Sequence, residues 1–310
     1  MPRLALVLAA ALLAACGGRD GGARPAAEAD SVVALESPVS LVDDAGRTVT
    51  LPRPARRNVA RVPSGTETGV ALGAADRLVG RTDFDHGPAV DRLPSIGGGL
   101  DPSVETLISL RPDLVLGWET NGRPELRQRL TALGIPVFSI KTEDTTDVFR
   151  ALRNLGRLTG RTRAADSVAV SLRAQVDGVR ASVAGLPRPS VLFIVWPDPP
   201  MTAGPKTFVS QVIELAGGRN VFADQAALWP SVSLEELVRR DPDVVVIPQG
   251  EQGGGKVEEL RRAPGWRELR ALREGRAVLV PSDLVNRPGP GLGAAARAMR
   301  DALHPEARPR

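Results

Sequence analysis

The sequence predicts an α/β protein of two lobes with mostly parallel sheets, and three observations predict it. Short apolar runs rich in Val, Ile and Leu alternate with helical patterns along the chain. A fourteen-residue segment occurs twice, 130 residues apart. Between the copies lies a stretch without proline that keeps one helical face after another.

The repeat is the most informative of the three. Residues 103–116 read SVETLISLRPDLVL and residues 233–246 read SLEELVRRDPDVVV, so nine of fourteen positions fit the one pattern S-x-E-x-L-[IV]-x-x-x-P-D-[LV]-V-[LV]. Ser103 and Ser233 suit helix N-caps. Leu107 and Leu237 face inward on a short helix, Pro112 and Pro242 stop it, and a buried strand follows. Each copy is thus a helix–turn–strand unit of a parallel sheet. In the first half the pattern predicts a hairpin (39–42 and 48–51), a strand over 58–62 and a helix over 64–75. A strand over 78–82, the repeat, a helix over 124–133 and a strand over 136–140 follow. In the second half a strand over 190–196, a helix over 207–216 and the repeat precede a helix over 265–272. A strand over 277–280 and a last helix over 291–303 complete it. This is the alternation of two Rossmann-like lobes.

No proline occurs between Pro136 and Pro187. Val148, Ala151, Leu152, Leu155 and Leu158 keep one helical face, and Ala165, Val168, Leu172, Val176, Val179 and Val183 keep another. Gly160 separates them. The second helix, read as 162–184, would be roughly 33 Å long at 1.5 Å per residue. It predicts a stiff single-helix link between the lobes.

The N-terminus reads as an export signal. Met1-Pro2-Arg3 precedes an unbroken apolar run from Leu4 to Ala15, too short for a bilayer span of roughly 20 residues. The run ends Leu13-Ala14-Ala15-Cys16-Gly17, which resembles the lipobox of bacterial lipoproteins and implies a lipid on Cys16. Cys16 is the sole cysteine, so no intrachain disulfide forms. The expected organisation is a signal peptide and lipobox over 1–16, a flexible tether over 17–36 and an N-terminal α/β lobe over 37–145. A helical connector over 146–187 and a C-terminal α/β lobe over 188–305 follow.

Composition excludes several chemistries. Of 40 basic residues only Lys141, Lys206 and Lys256 are lysines, and no basic block interleaves with aromatics. Nucleic acid is therefore set aside. Two histidines, His86 and His304, cannot build a three-histidine zinc site, and no tyrosine exists to ligate haem or ferric iron. Neither G-x-S-x-G nor a Walker A motif occurs.

Taken in order, DDAGRTVTLPRPARR, V-P-S-G-T-E-x-x-x-A-L-G, R-P-D-L-V, L-G-I-P-V and A-G-G-R-N-V-F resemble the class III substrate-binding proteins of ABC importers. That group takes up cobalamin and iron–siderophores. The likeness runs from about residue 38 to 304. PPMTAG at 199–204, WPSVSLEEL at 229–237 and PSD at 281–283 are most similar to its cobalamin-binding branch. Departures are Gly97-Gly98-Gly99, which has no Trp, and Phe84, which stands in place of a Tyr. The resemblance implies two lobes joined by a backbone helix, no catalysis and no cofactor beyond cobalt or iron carried by the ligand. It implies a monomer, lipid-anchored at the periplasmic or cell-surface side, that hands its ligand to an ABC permease and ATPase complex. Glu105 and Glu235, the third residues of the repeats, are implied to dock onto the two permease subunits. The helix macrodipole alone would also favour an acidic residue there.

Ligands of open α/β sheets bind beyond the carboxyl ends of the strands. Phe84, Trp118, Trp196 and Trp229 lie at or near such ends and either offer flat apolar faces to a corrinoid or, for the tryptophans, pack into the core. Asp283 and Arg287 follow the last strand and would accept from or donate to ligand amides, or pair with each other. Trp266 reads as core. His86 is a possible axial ligand for cobalt. Two other readings stand beside corrinoid capture: a ferric siderophore or haem in the same cleft, and a hydrolase or chelatase using Asp85 and His86.

Overall fold

The computed structural model describes residues 37–118, 124–250 and 257–307. The expected export signal, Cys16 and the expected tether lie outside the described residues.

The described residues open with an antiparallel hairpin, β1 (Val39–Val42) and β2 (Thr48–Leu51). Its turn is closed by Asp43, whose Oδ1 accepts from the backbone N–H of Ala45 and Arg47. The first lobe then contains β3 (Asn58–Ala60), α1 (Pro63–Ala71), β4 (Leu78–Gly80), α2 (Val104–Ser109), β5 (Leu114–Trp118), α3 (Pro124–Ala132) and β6 (Val137–Ile140). Two helices follow, α4 (Thr145–Leu158) and α5 (Thr162–Ser182). The second lobe contains β7 (Ser190–Pro197), β8 (Pro200–Thr202), α6 (Phe208–Leu215), β9 (Arg219–Asn220), α7 (Leu234–Arg240), β10 (Val244–Gln249) and α8 (Val257–Arg262). It ends with α9 (Arg270–Arg273), β11 (Ala277–Pro281), α10 (Ser282–Val285) and α11 (Leu292–Leu303).

The first sheet has the order β4-β3-β5-β6 and is parallel throughout. In the second, β9-β7-β10-β11 are parallel in the same arrangement, with β8 added antiparallel to the end of β7. Both lobes thus place their first parallel strand between the second and third, as two copies of one plan would. The repeat occupies α2–β5 and α7–β10. Ser103 and Ser233 cap their helices, accepting from the N–H of Thr106 at 3.2 Å and Glu236 at 3.1 Å. Leu107 and Leu237 are buried. Arg111 and Asp241 both adopt a left-handed backbone, with φ of 45° and 40°, just before the repeat prolines.

Strand residues alternate between two buried faces, as period-2 side chains must in a sheet covered on both sides. Val191, Phe193, Val244 and Val246 join one central core, whereas Leu192, Ile194, Val245 and Ile247 join an outer one. Leu114, Leu116, Phe138 and Ile140 of the first lobe belong to that same central core, and Val115 and Val137 to its own outer core. The central core also takes in Leu152, Leu155, Leu172, Val176, Met299 and Leu303 of α4, α5 and α11. It therefore runs unbroken from one lobe to the other.

Some elements differ from expectation. The strand expected to reach 62 ends at Ala60 because Pro63 already opens α1, with Val62 extended as its cap. The helix expected to reach 75 ends at Ala71, and Gly73 turns at φ 66°. The helix expected over 265–272 is broken. Gly265 has φ 79°, Trp266–Glu268 forms one tight turn, and Leu269 is extended before α9. Trp266 is nonetheless buried, as expected. Gly160, at φ 64°, separates α4 from α5. Of the two, α4 lies on α1 and β1 of the first lobe, and α5 reaches α6 and α11 of the second. The spanning element is thus α5, and the lobes also meet directly. Gln211 Oε1 on α6 accepts from the N–H of Thr145, at 2.9 Å, and from its hydroxyl at 2.5 Å.

Candidate functional site

In each sheet the connections diverge on either side of the first strand, and the carboxyl ends there are where open α/β sheets bind their ligands. In the first lobe that end carries the loop after β4. Asp85 is buried and organises it: its Oδ2 accepts from the N–H of Thr82 at 2.7 Å and from the Thr82 hydroxyl at 2.8 Å. The loop is held from behind by residues 95–97. Asp83 donates its N–H to the Gly97 carbonyl, and the Ser95 hydroxyl donates to Asp83 Oδ1 at 2.5 Å. Phe84 projects from this frame 40% exposed. Trp118 is the last residue of β5, in register with Ile140 of β6. The glycine run packs against the end of β3. A Cβ on Gly99 would lie 1.9 Å from the Arg61 carbonyl oxygen. Only glycine fits, which explains the absence of a larger residue there.

In the second lobe the extra strand β8 builds the site. Trp196 pairs with Met201 across the β7–β8 hairpin, and Met201 bridges to Ser231. The backbone N–H of Thr202 donates to Pro230 O at 3.1 Å, and that of Gly204 to Leu228 O at 2.8 Å. Residues 228–231 are therefore laid along β8, which carries Trp229 to the same end as Trp196. Buried Asn220 fixes the other side of this segment, its Nδ2 donating to Ala203 O at 2.8 Å and to Ser210 Oγ at 3.0 Å. That is the structural meaning of the A-G-G-R-N-V-F motif. A Cβ on Gly204 would lie 2.0 Å from Ala227 O, so the PPMTAG segment too needs its glycine. Trp196 satisfies its own indole N–H on the Asp198 carbonyl at 2.8 Å.

The four candidate aromatics are all exposed: Phe84 by 40%, Trp118 by 37%, Trp196 by 55% and Trp229 by 45%. Large, partly exposed aromatics thus stand at or near the strand ends of both lobes.

Asp283 and Arg287 form an ion pair at 3.0 Å. Arg287 also crosses to the first lobe, where it donates to Glu67 Oε1 at 3.1 Å and to the Phe84 carbonyl at 3.0 Å. Glu67 was not singled out from the sequence, although it lies within V-P-S-G-T-E. The signal was its place on α1, which starts at the carboxyl end of β3. Burial pushes the Glu67 carboxyl above its ordinary range, against the opposing effect of Arg287. His86 is exposed, while the Asp85 carboxylate is held by Thr82, which is the geometry of a turn brace rather than of an acid–base pair. Among the described residues no group of three or more His, Cys, Asp or Glu is placed to hold a metal ion. Glu105 and Glu235 are exposed in the first turns of α2 and α7. Backbone and Ser233 hydrogen bonds hold the Glu235 carboxyl below its ordinary range.

Residues 59–284 match the family described as periplasmic binding protein. A cobalamin-binding protein of Halobacterium salinarum is 32% identical, over 97% of this chain and 84% of its own length. An ABC transporter substrate-binding lipoprotein of Bacillus subtilis is 29% identical, over 97% of this chain and 96% of its own. Among solved structures, a periplasmic haem-binding protein of Pseudomonas aeruginosa superposes with a TM-score of 0.72 at 29% identity. The match covers 83% of this chain and 95% of that one.

Proposed function

The chain belongs to the periplasmic binding protein family, and from that premise we propose that it is the lipid-anchored receptor of an ABC importer, capturing a corrinoid between its lobes. The observation that carries the ligand class is the set of exposed faces of Phe84, Trp118, Trp196 and Trp229. A corrin ring is broad, flat and apolar on its faces, and stacks on such rings at low entropic cost. The cobalamin-binding name of the Halobacterium relative supports the same reading. Glu105 and Glu235 are the proposed docking points on the permease that stands with its ATPase. Exposed carboxylates set orientation and encounter rate more than affinity, which suits a transient partner. No helix among the described residues is long and apolar enough to cross a membrane, so the proposed anchor is the lipid on Cys16.

Titration of the purified protein with cyanocobalamin, followed by tryptophan quenching, tests this. Saturable binding is expected, weakened about five- to thirtyfold by Trp118→Ala or Trp229→Ala, since a stacked aromatic is worth roughly 1–2 kcal/mol. The ligand should be recovered unchanged. Saturation by haem or a ferric siderophore with no cobalamin response would move the protein to another cargo of the same class. Replacing Cys16 with Ser should release the protein from the membrane fraction.

A further inference from the structure

Arg287 belongs to the second lobe, yet two of its partners belong to the first. Its Nη1 donates to Glu67 Oε1 and its Nη2 to the Phe84 carbonyl, while Asp283 of its own lobe lies 3.0 Å away. The Arg287 side chain is 19% exposed and that of Glu67 36%, so the contact is sheltered from water. The backbones approach as well. A Cβ on Gly289 would sit 3.6 Å from Glu67 Oε2 and from Ser64 Cβ. One guanidinium is therefore shared by two carboxylates. Arg61 and Arg81, two further cations at this end of the first sheet, donate to the backbone carbonyls of Gly99 and of Thr82 and Asp85. At the Arg287 corner a ligand carboxylate would meet an already matched guanidinium flanked by Glu67 and Asp283. A ligand edged with amide N–H groups would meet acceptors.

We propose that Glu67 is a positioning and specificity-determining residue of the cleft: it draws Arg287 across from the opposite lobe, occupies it together with Asp283, and so turns the rim toward a cargo edged with neutral N–H donors and against one bearing carboxylates. The proposal rests on the reading that a macrocycle or chelate binds between the lobes. It assigns Glu67 no contact with the cargo, because the effect passes through Arg287.

The test compares wild type, Glu67→Gln, Arg287→Gln and the double variant. The probes are dicyanocobinamide, edged with amides, and haem, which carries two propionates. In Glu67→Gln the ratio of the two affinities is expected to move toward haem by about fivefold or more, the size of a modest coupling between sites. The double variant should match Arg287→Gln alone. A ratio unchanged by Glu67→Gln, or a shift that survives in the double variant, overturns the proposal. A second arm uses the ligand-free protein. With spin labels at Val70 and Leu279 in a Cys16→Ser background, Glu67→Gln should lengthen or broaden the distance between lobes. An unchanged distribution overturns the positioning role. If wild type binds neither probe, the cargo reading fails, and this second arm still decides the Glu67 contact.

Discussion

Asp113 and Asp243 occupy the same place in the two repeats, and each grips the start of the first strand of its lobe. Asp113 accepts from the backbone N–H of Arg56 and Arg57, both at 2.8 Å. Asp243 accepts from the N–H of Ser190 at 2.9 Å, from its hydroxyl at 2.7 Å, and from Arg270 at 2.9 Å. The Ser190 backbone bond, then its hydroxyl, then Arg270 pull the Asp243 carboxyl from 3.8 to about 2. A depressed pKa stabilises the fold above the unfolded value, and that contribution disappears as pH falls from about 4 through about 2. The full shift would correspond to about 2.5 kcal/mol, but the side chain is 45% exposed, and screening leaves about 1 kcal/mol. Asp243→Asn should therefore lower unfolding stability by about that much at pH 7, with the gap to wild type closing near pH 2 in paired urea titrations. The repeat made both aspartates conspicuous in the sequence, but not their partners. Glu67 and Arg287 lie 220 residues apart, and no local pattern links two charges that only the closed arrangement of lobes brings together.

At the scale of elements, the helix–turn–strand units were legible because every local signal agreed. Serine caps, one inward leucine, a stop before proline and a buried run all point to one structure. The short strands were not legible. With three and two residues, β8 and β9 carry no periodicity and exist through their partner β7. The helix expected over 265–272 failed because tertiary packing at Gly265, whose Cβ would lie 2.5 Å from Leu234, holds a left-handed turn that propensity does not reveal. The missed β8 matters most, since it carries the Trp229 loop. Gly204→Ala would drive a methyl group into Ala227 O, so the loop must move. A stability loss of about 1–3 kcal/mol is expected, together with weakened cyanocobalamin quenching. Unchanged binding in Gly204→Ala would show that the position of Trp229 is not critical.

At the scale of the molecule, the central core joins the lobes through α4, α5 and α11. Such a body should unfold as one unit, and calorimetry should show a single transition with equal calorimetric and van't Hoff enthalpies. Two resolved transitions would contradict that continuity. Under the proposed docking, Glu105→Arg and Glu235→Arg should each reduce ligand uptake by cells, and more so together, while leaving the affinity of the purified receptor unchanged. The helical link was readable from the proline-free stretch, but its packing into the core shared by both lobes was not, because that depends on which strand face turns toward which helix. That packing has a mechanical consequence. Halves that share one interior cannot swing apart freely: the shared side chains limit how far the rim can open, and rim contacts such as Arg287–Glu67 set where in that range it rests. Under the proposed docking, a partner holding both shoulders would work against that limit, whereas one holding a single shoulder would tilt the whole molecule.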